Sequence, residues 1–130
     1  MTKHDHILHW KETAEGDWLA AQDLFQTRRY LQCLFLAHLT IEKLSKAHWV
    51  KDNVDDYPPR IHNLARVLAA TAVVLTPDQE VLIAELNRFQ MDGRYPDYQR
   101  MVYGVATESY TRQLLDDTKL FRLCLLSTLP

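Results

Sequence analysis

No run of apolar residues in this chain approaches the length of a membrane span, for which about 20 are needed. Charge of one sign is lacking too: 15 Lys and Arg stand against 17 Asp and Glu, a formal net charge of −2. No global field therefore recruits nucleic acid, and RNA or DNA binding requires a local basic patch. Cysteine is nearly absent. Cys33 and Cys124 each lie in an apolar run, which reads as two buried thiols in a reducing compartment rather than a disulfide or a metal pair. The opening MTKHDHILHW has no apolar core and no small-residue cleavage pattern, so a secretory signal is not expected. Internal repeats and low-complexity tracts are missing. Together these absences predict a cytoplasmic protein without membrane contact. The 130 residues suggest one domain, 1–130, able to bury a core without staples.

What is present is a long stretch free of glycine and proline, Tyr30 to Lys51. Leu34, Ala37, Ile41 and Leu44 fall on one helical stripe, and Leu31, Phe35, Leu39 and Trp49 on a second. A helix apolar around most of its circumference is central. Yet Glu42 and Lys46 stand one turn apart on the side of Phe35. Charges on an otherwise buried helix need partners. One side of this helix is therefore expected to pack on its own chain, and the other to face a cleft or a second subunit.

The remaining chain reads as helices around it. Asp5 to about Thr27 repeats Trp10, Ala14, Trp18, Ala21 and Phe25 at helical spacing, with Gly16 inside the pattern as a mark of close backbone approach. Arg28 and Arg29 suit the negative end of that helix, and the near absence of a loop predicts an antiparallel hairpin. Asp52 to Arg60 breaks the helix at Pro58 and Pro59. A third helix is expected from Ile61 or His62, with Leu64, Val67 and Leu68 inward, ending in the ambiguous Ala72-Val73-Val74. Thr76-Pro77-Asp78-Gln79 carries the marks of a helix start, and that helix is expected to reach about Gln90 with Asp92-Gly93 as its stop. Arg94 to Ala106, rich in Tyr and Arg, reads as a loop. Thr107 should cap a last helix reaching Leu126, with Tyr110, Leu114, Phe121 and Leu125 inward. No segment makes a persuasive strand. The expected fold is all-α, an up-and-down bundle of four to five helices.

Three motifs now stand in order: Trp18-Leu-Ala-Ala-Gln-Asp23-Leu leading to Glu42-Lys43-Leu-Ser-Lys46-Ala47, then His62-Asn-Leu, then Arg94-Tyr95-Pro96-Asp97. In that order and spacing they resemble the HEPN family, named for nucleotide binding in higher eukaryotes and prokaryotes. The resemblance spans nearly the whole chain. It implies a helical bundle that dimerises, with a polar cleft built from the central helices and the segment before the last one. Many members are similar to RNA-targeting nucleases. Others bind nucleotides or accompany small nucleotidyltransferases in toxin–antitoxin modules. The nuclease members carry an Arg, four to six residues, then a His near the start of the last helix. Arg94 matches the Arg, but Tyr98, Gln99, Arg100 and Met101 occupy the places of the His.

The candidate ligand-binding residues are Glu42, Lys43, Lys46, His62, Arg94, Tyr95 and Asp97. Lys46, with Lys43, would present positive charge to a phosphate while Glu42 orients it; the alternative is an ordinary ion pair. Arg94 is the best anion-binding candidate, or it stacks on Tyr95 or pairs with Asp97. Asp97 alternatively caps a short turn. Tyr95, Tyr98 and Tyr103 stack on a base or pack the segment onto the bundle. His62 opens a helix and His38 reads as a satisfied core histidine. His4, His6 and His9 cluster without acidic or Cys ligands at fixed spacing, so no metal is expected, and no cofactor either. Arg28, Arg29, Arg60 and Arg66 extend a basic rim or are ordinary surface. The sequence reading is a cytoplasmic, homodimeric nucleotide- or RNA-binding domain rather than an enzyme. Its alternatives are a metal-independent ribonuclease toxin and a partner of a small nucleotidyltransferase.

Overall fold

The computed structural model describes residues 1–92 and 94–130. It has six helices and, among the described residues, no strand. They are α1 (Lys3–Gln26), α2 (Tyr30–Asp52), α3 (Leu64–Leu68), α4 (Pro77–Asn87), α5 (Pro96–Val105) and α6 (Glu108–Ser127). All five others pack against α2. Its buried positions run nearly around the helix, from Cys33 and Leu34 to Ala47, His48 and Val50. Burial of Cys33 pushes its thiol up to about 12, so it stays protonated and inert. Cys124 departs from expectation: it is exposed on α6.

Local chemistry sets the helix ends. Thr2 and Asp5 form a capping box that starts α1. At the end of α1 the Arg29 amide donates to the Leu24 carbonyl at 2.8 Å and the Arg28 amide to the Phe25 carbonyl at 3.1 Å. This is the glycine-type helix stop, yet Arg28 occupies the left-handed position with φ 64°. The helix α2 ends at Asp52, with Asn53 as its cap, before the prolines. There Lys3 Nζ donates to the carbonyls of Val50 and Asn53, both at 2.8 Å. Thr76 and Gln79 form the expected capping box with Pro77 in the first turn, and Thr107 caps α6.

Four further expectations need correction. The third helix begins only at Leu64, after an Asn63 cap, and ends at Leu68 rather than Val74. Side chains intercept its backbone: Thr71 Oγ1 donates to the Leu68 carbonyl at 2.7 Å, Asn53 Nδ2 to the Ala70 carbonyl, and Asp52 accepts the Ala72 amide at 2.7 Å. The fourth helix stops at Asn87 rather than Gln90, and the proposed stop at Gly93 lies outside the described residues. The segment 94–106 is mostly α5, not a loop. Pro96 sits at its first turn, where a missing N–H costs nothing, and Val102 anchors it in the core. Gly16 meets no close neighbour, so no tight approach explains it.

A small satellite of Ile7, Ala47 and Val50, with Trp10, Trp49 and Leu129 against it, joins the start of α1 to the end of α2. Beside it His48 lies buried, its Nε2 donating to the Leu125 carbonyl of α6 at 2.8 Å. Burial lowers the pKa of both His48 and His38 below the ordinary 6.5. Below 6.5 the unfolded chain thus binds more protons than the folded one, so stability is intact above that value and is lost as pH falls towards the lowered values. We expect the melting temperature to drop as pH falls below about 6.5, and less steeply in His48→Gln. Equal slopes in thermal melts of the two proteins would remove His48 from this balance.

Candidate functional site

The polar centre of the molecule is a ladder on α2. His38, Glu42 and Lys46 follow at four-residue spacing, so all three fall on one helix face. Glu42 is only 4% exposed and Lys46 6%. Lys46 Nζ donates to Glu42 Oε2 at 3.1 Å and lies 5.7 Å from the Trp10 ring centre. The ion pair is buried, not an ordinary surface pair. Glu42 Oε1 takes a second partner from another part of the chain, His62 Nδ1 at 3.0 Å. His62 lies in the extended segment before α3 and its side chain is 44% exposed. Because Nδ1–H donates to the carboxylate, the other ring nitrogen, Nε2, is left for a ligand.

Asn87 ties this ladder to α4. Its Oδ1 accepts the Leu64 amide at 3.0 Å and lies 3.4 Å from His38 Nε2. An oxygen that takes a backbone N–H fixes the amide orientation, so His38 carries its hydrogen on Nε2. His38 Nδ1 then faces Glu42 Oε1 at 3.9 Å and, among the described residues, has no hydrogen-bond partner. His38 is accordingly a buried neutral histidine, its pKa lowered by burial against the pull of Glu42, and not fully satisfied as the sequence reading had it.

Beside His62 opens a cleft of about 130 Å³, lined by His62, Asn63, Asn87, Gln90 and Arg94. Arg94 Nε donates to the Gln90 carbonyl at 3.3 Å, and the guanidinium lies 4.5 Å from the centre of the Tyr98 ring. Tyr98 is held in turn by its hydroxyl, which donates to the Arg88 carbonyl at 2.8 Å. Arg94 therefore stacks on Tyr98, one turn into α5, and not on Tyr95. Gln90 is buried, and its amide Nε2 has no partner among the described residues.

Of the residues singled out in the sequence, Glu42, Lys46 and His62 come together, and His62 and Arg94 share the cleft. Three stand apart. Lys43 pairs with Asp17 of α1 at 2.7 Å. Tyr95 is 79% exposed ahead of α5. Asp97 accepts the Tyr98 amide at 3.0 Å and, among the described residues, forms no ion pair with Arg94. In the terminal cluster, His6 packs edge-on against Tyr57 and His9 against Trp10. His38, Asn87 and Gln90 were missed as site residues. The signal for His38 was the four-residue ladder with Glu42. For Asn87 and Gln90 it was two amides three residues apart beside the inward Leu86 and Phe89.

A family model described as "HEPN domain" matches residues 7–127. The chain belongs to the HEPN domain family. No curated protein and no solved structure matches it. The match covers all six helices of this HEPN domain apart from the first turn of α1, and includes the ladder, the cleft and α5. Among the described residues, no helix is long and apolar enough to cross a membrane.

The ladder makes a sharp demand on stability. Glu42→Leu leaves Lys46 as a buried charge without a counter-ion, and we expect a loss of about 3–5 kcal/mol. The double variant Glu42→Leu with Lys46→Met removes both charges and should recover much of that loss. Urea unfolding of the two variants gives the comparison. A double variant as unstable as the single one would mean that packing, not charge pairing, dominates here.

Proposed function

We propose that this HEPN domain binds the phosphate of a nucleotide or of RNA in the cleft between His62 and Arg94. The observation that carries the reading is the buried, unpartnered amide of Gln90, which lines the same cleft as Arg94 and His62. A buried donor without an acceptor costs about 1–3 kcal/mol, which a ligand oxygen returns. Among the described residues, Arg94 uses only Nε internally, and its terminal amino groups have no partner. Its stacking on Tyr98 fixes the plane in which they point. His62, held by Glu42 through Nδ1, turns Nε2 to the same cleft. Amide and guanidinium groups lining one cleft suit an oxyanion, and Arg94 gives the charge-assisted contact. Lys46 supports the site indirectly, by balancing Glu42.

One observation favours a second reading, RNA cleavage. Glu42 orients His62 by a 3.0 Å contact, the arrangement of a general base, and Arg94 lines the same cleft. Cleavage beside a 2′-hydroxyl needs a base, an acid and positive charge on the phosphate. The histidine that nuclease members carry after the arginine is absent, and Tyr98, at one of its places, is tied to a backbone carbonyl. A lone imidazole favours binding over turnover. Titration with RNA is expected to show Arg94→Ala weakened by about 1–3 kcal/mol, with wild type cutting RNA poorly in a single-turnover assay. Unchanged affinity removes Arg94 from the site. Robust cleavage lost in both Arg94→Ala and His62→Ala would establish the second reading, with His62 as base.

A homodimer accompanies this reading. Leu31, Phe35, Leu39 and Trp49 are only half-buried in the single chain. Leu31 and Phe35 join Leu24, Leu36 and Met91 around a groove of about 360 Å³, with Gln32 as the polar side chain on its wall. An apolar stripe on a long helix is self-complementary across a two-fold axis. Light scattering at tens of micromolar should therefore give twice the chain mass, and a stable monomer would remove the dimer from the proposal.

A further inference from the structure

At the far end of α5 lies a second cavity, of about 310 Å³, lined by Arg28, Arg29, Gln32, Tyr103, Gly104 and Thr107 among others. It is separate from the His62 cleft. Arg28 and Arg29 are exposed and, among the described residues, form no ion pair, whereas Arg88 and Arg122 do. Tyr103 is 66% exposed. Arg112 stands nearby on α6, 4.7 Å from the centre of the Phe25 ring, which in turn packs on Tyr30 of the cavity wall. Over residues 28–32 and 94–108 the acidic side chains are Asp97 and Glu108, set against Arg28, Arg29, Arg94 and Arg100.

The two cavities are joined by one helix. Arg94 precedes α5 by two residues, and Tyr103 and Gly104 close it. Pro96, Arg100 and Tyr103 share its solvent face at helical spacing, all three exposed. The ten residues of α5 span about 15 Å, the length of about four stacked nucleotides. An arginine and a tyrosine on one exposed face suit a single strand, since guanidinium groups hold phosphates and aromatic faces stack on bases whatever their identity.

We propose that α5 is a rail for single-stranded RNA, running from the His62 and Arg94 cleft to a second phosphate site at Arg28 and Arg29, with Tyr103 as a stacking face. This rests on the phosphate-binding reading of the first cleft and gives it a substrate class: an oligonucleotide rather than a mononucleotide. The position of Arg28 is informative. A left-handed residue at a helix end is normally glycine, and an arginine there pays in backbone energy. Arg28→Gly therefore removes the charge while relaxing the backbone. Gly104 offers a complementary change, because a Cβ added there meets no atom within 4 Å outside its own stretch of helix. Gly104→Glu brings a carboxylate to the cavity wall from a position with room for its Cβ.

The test is fluorescence anisotropy with labelled oligouridylate of about six nucleotides, competed by uridine monophosphate, at two salt concentrations. For the pair Arg28→Gly with Arg29→Ala, and for Gly104→Glu, we expect the oligonucleotide to bind about tenfold more weakly or worse. The monophosphate should bind as to wild type, the salt dependence of the arginine pair should fall, and Arg28→Gly should raise the melting temperature. Arg94→Ala should weaken both ligands. Variants that hold the oligonucleotide as tightly as wild type, while Arg94→Ala does not, overturn the rail and leave the first cleft standing. Equal weakening of both ligands by the cavity variants also overturns it, since the two sites are then not separate. Failure of wild type to bind either ligand overturns the phosphate-binding reading and the rail together.

Discussion

A carboxylate buried in the middle of the central helix governs the arrangement of everything around it. Glu42 stands at a position of α2 that packing would otherwise fill with an apolar side chain, at 4% exposure. A charge there is tolerable only if it is paired and hydrogen-bonded. Lys46 pairs with it from within the helix at 3.1 Å, but His62 reaches it from a segment 20 residues away in sequence. That contact fixes the end of the 53–63 connection. Asn87 then binds both His38 of the ladder and the first amide of α3, which ties α4 to the same centre. Apolar packing alone would accept many placements of short helices on α2; the hydrogen-bond set accepts few.

The chemistry of the cleft follows from the same constraint. Glu42 engages His62 Nδ1 and so turns the opposite nitrogen outward. On the facing wall, Arg94 is aimed by a second, independent chain of contacts: Tyr98 donates to the Arg88 carbonyl, and the guanidinium lies on the Tyr98 ring. Both walls are thus held by residues that need not touch a ligand. Such support fixes the positions of the His62 and Arg94 side chains within the fold.

Much of this was legible in the sequence, and the parts that were not share a cause. The caps at Thr76 and Thr107 and the central helix follow from side-chain chemistry within a few residues, and they stand as read. The helix α5 was not legible because Pro96 and Gly104 look like breakers when position is ignored. One occupies the first turn and the other lies next to the last residue, where each is tolerated. The four-residue step from Arg94 to Tyr98 and on to Val102 was present all along, but a segment taken for a loop is not inspected for helical period. Arg94 could therefore be picked out while its stacking partner could not. Lys43 was overvalued for the opposite reason: it shares a motif with Glu42 and Lys46 but points around the helix to Asp17 of α1.

The shortness of α3 is what opens the site. Its apolar pattern suggests a helix from about Ile61 to Val74, yet Asn63 caps it late, and Asp52, Asn53 and Thr71 intercept its end. Had the helix begun at Ile61, His62 would lie within its first turn and no longer in the extended segment from which it meets Glu42. The bonds that look like minor loop detail at Asn63 and Asn87 are therefore conditions for the cleft. They hold the backbone extended up to Leu64 and leave His62 between the carboxylate ladder and solvent. The polar residues that sequence reading treats as helix punctuation here decide whether the buried charge of α2 communicates with anything outside the core.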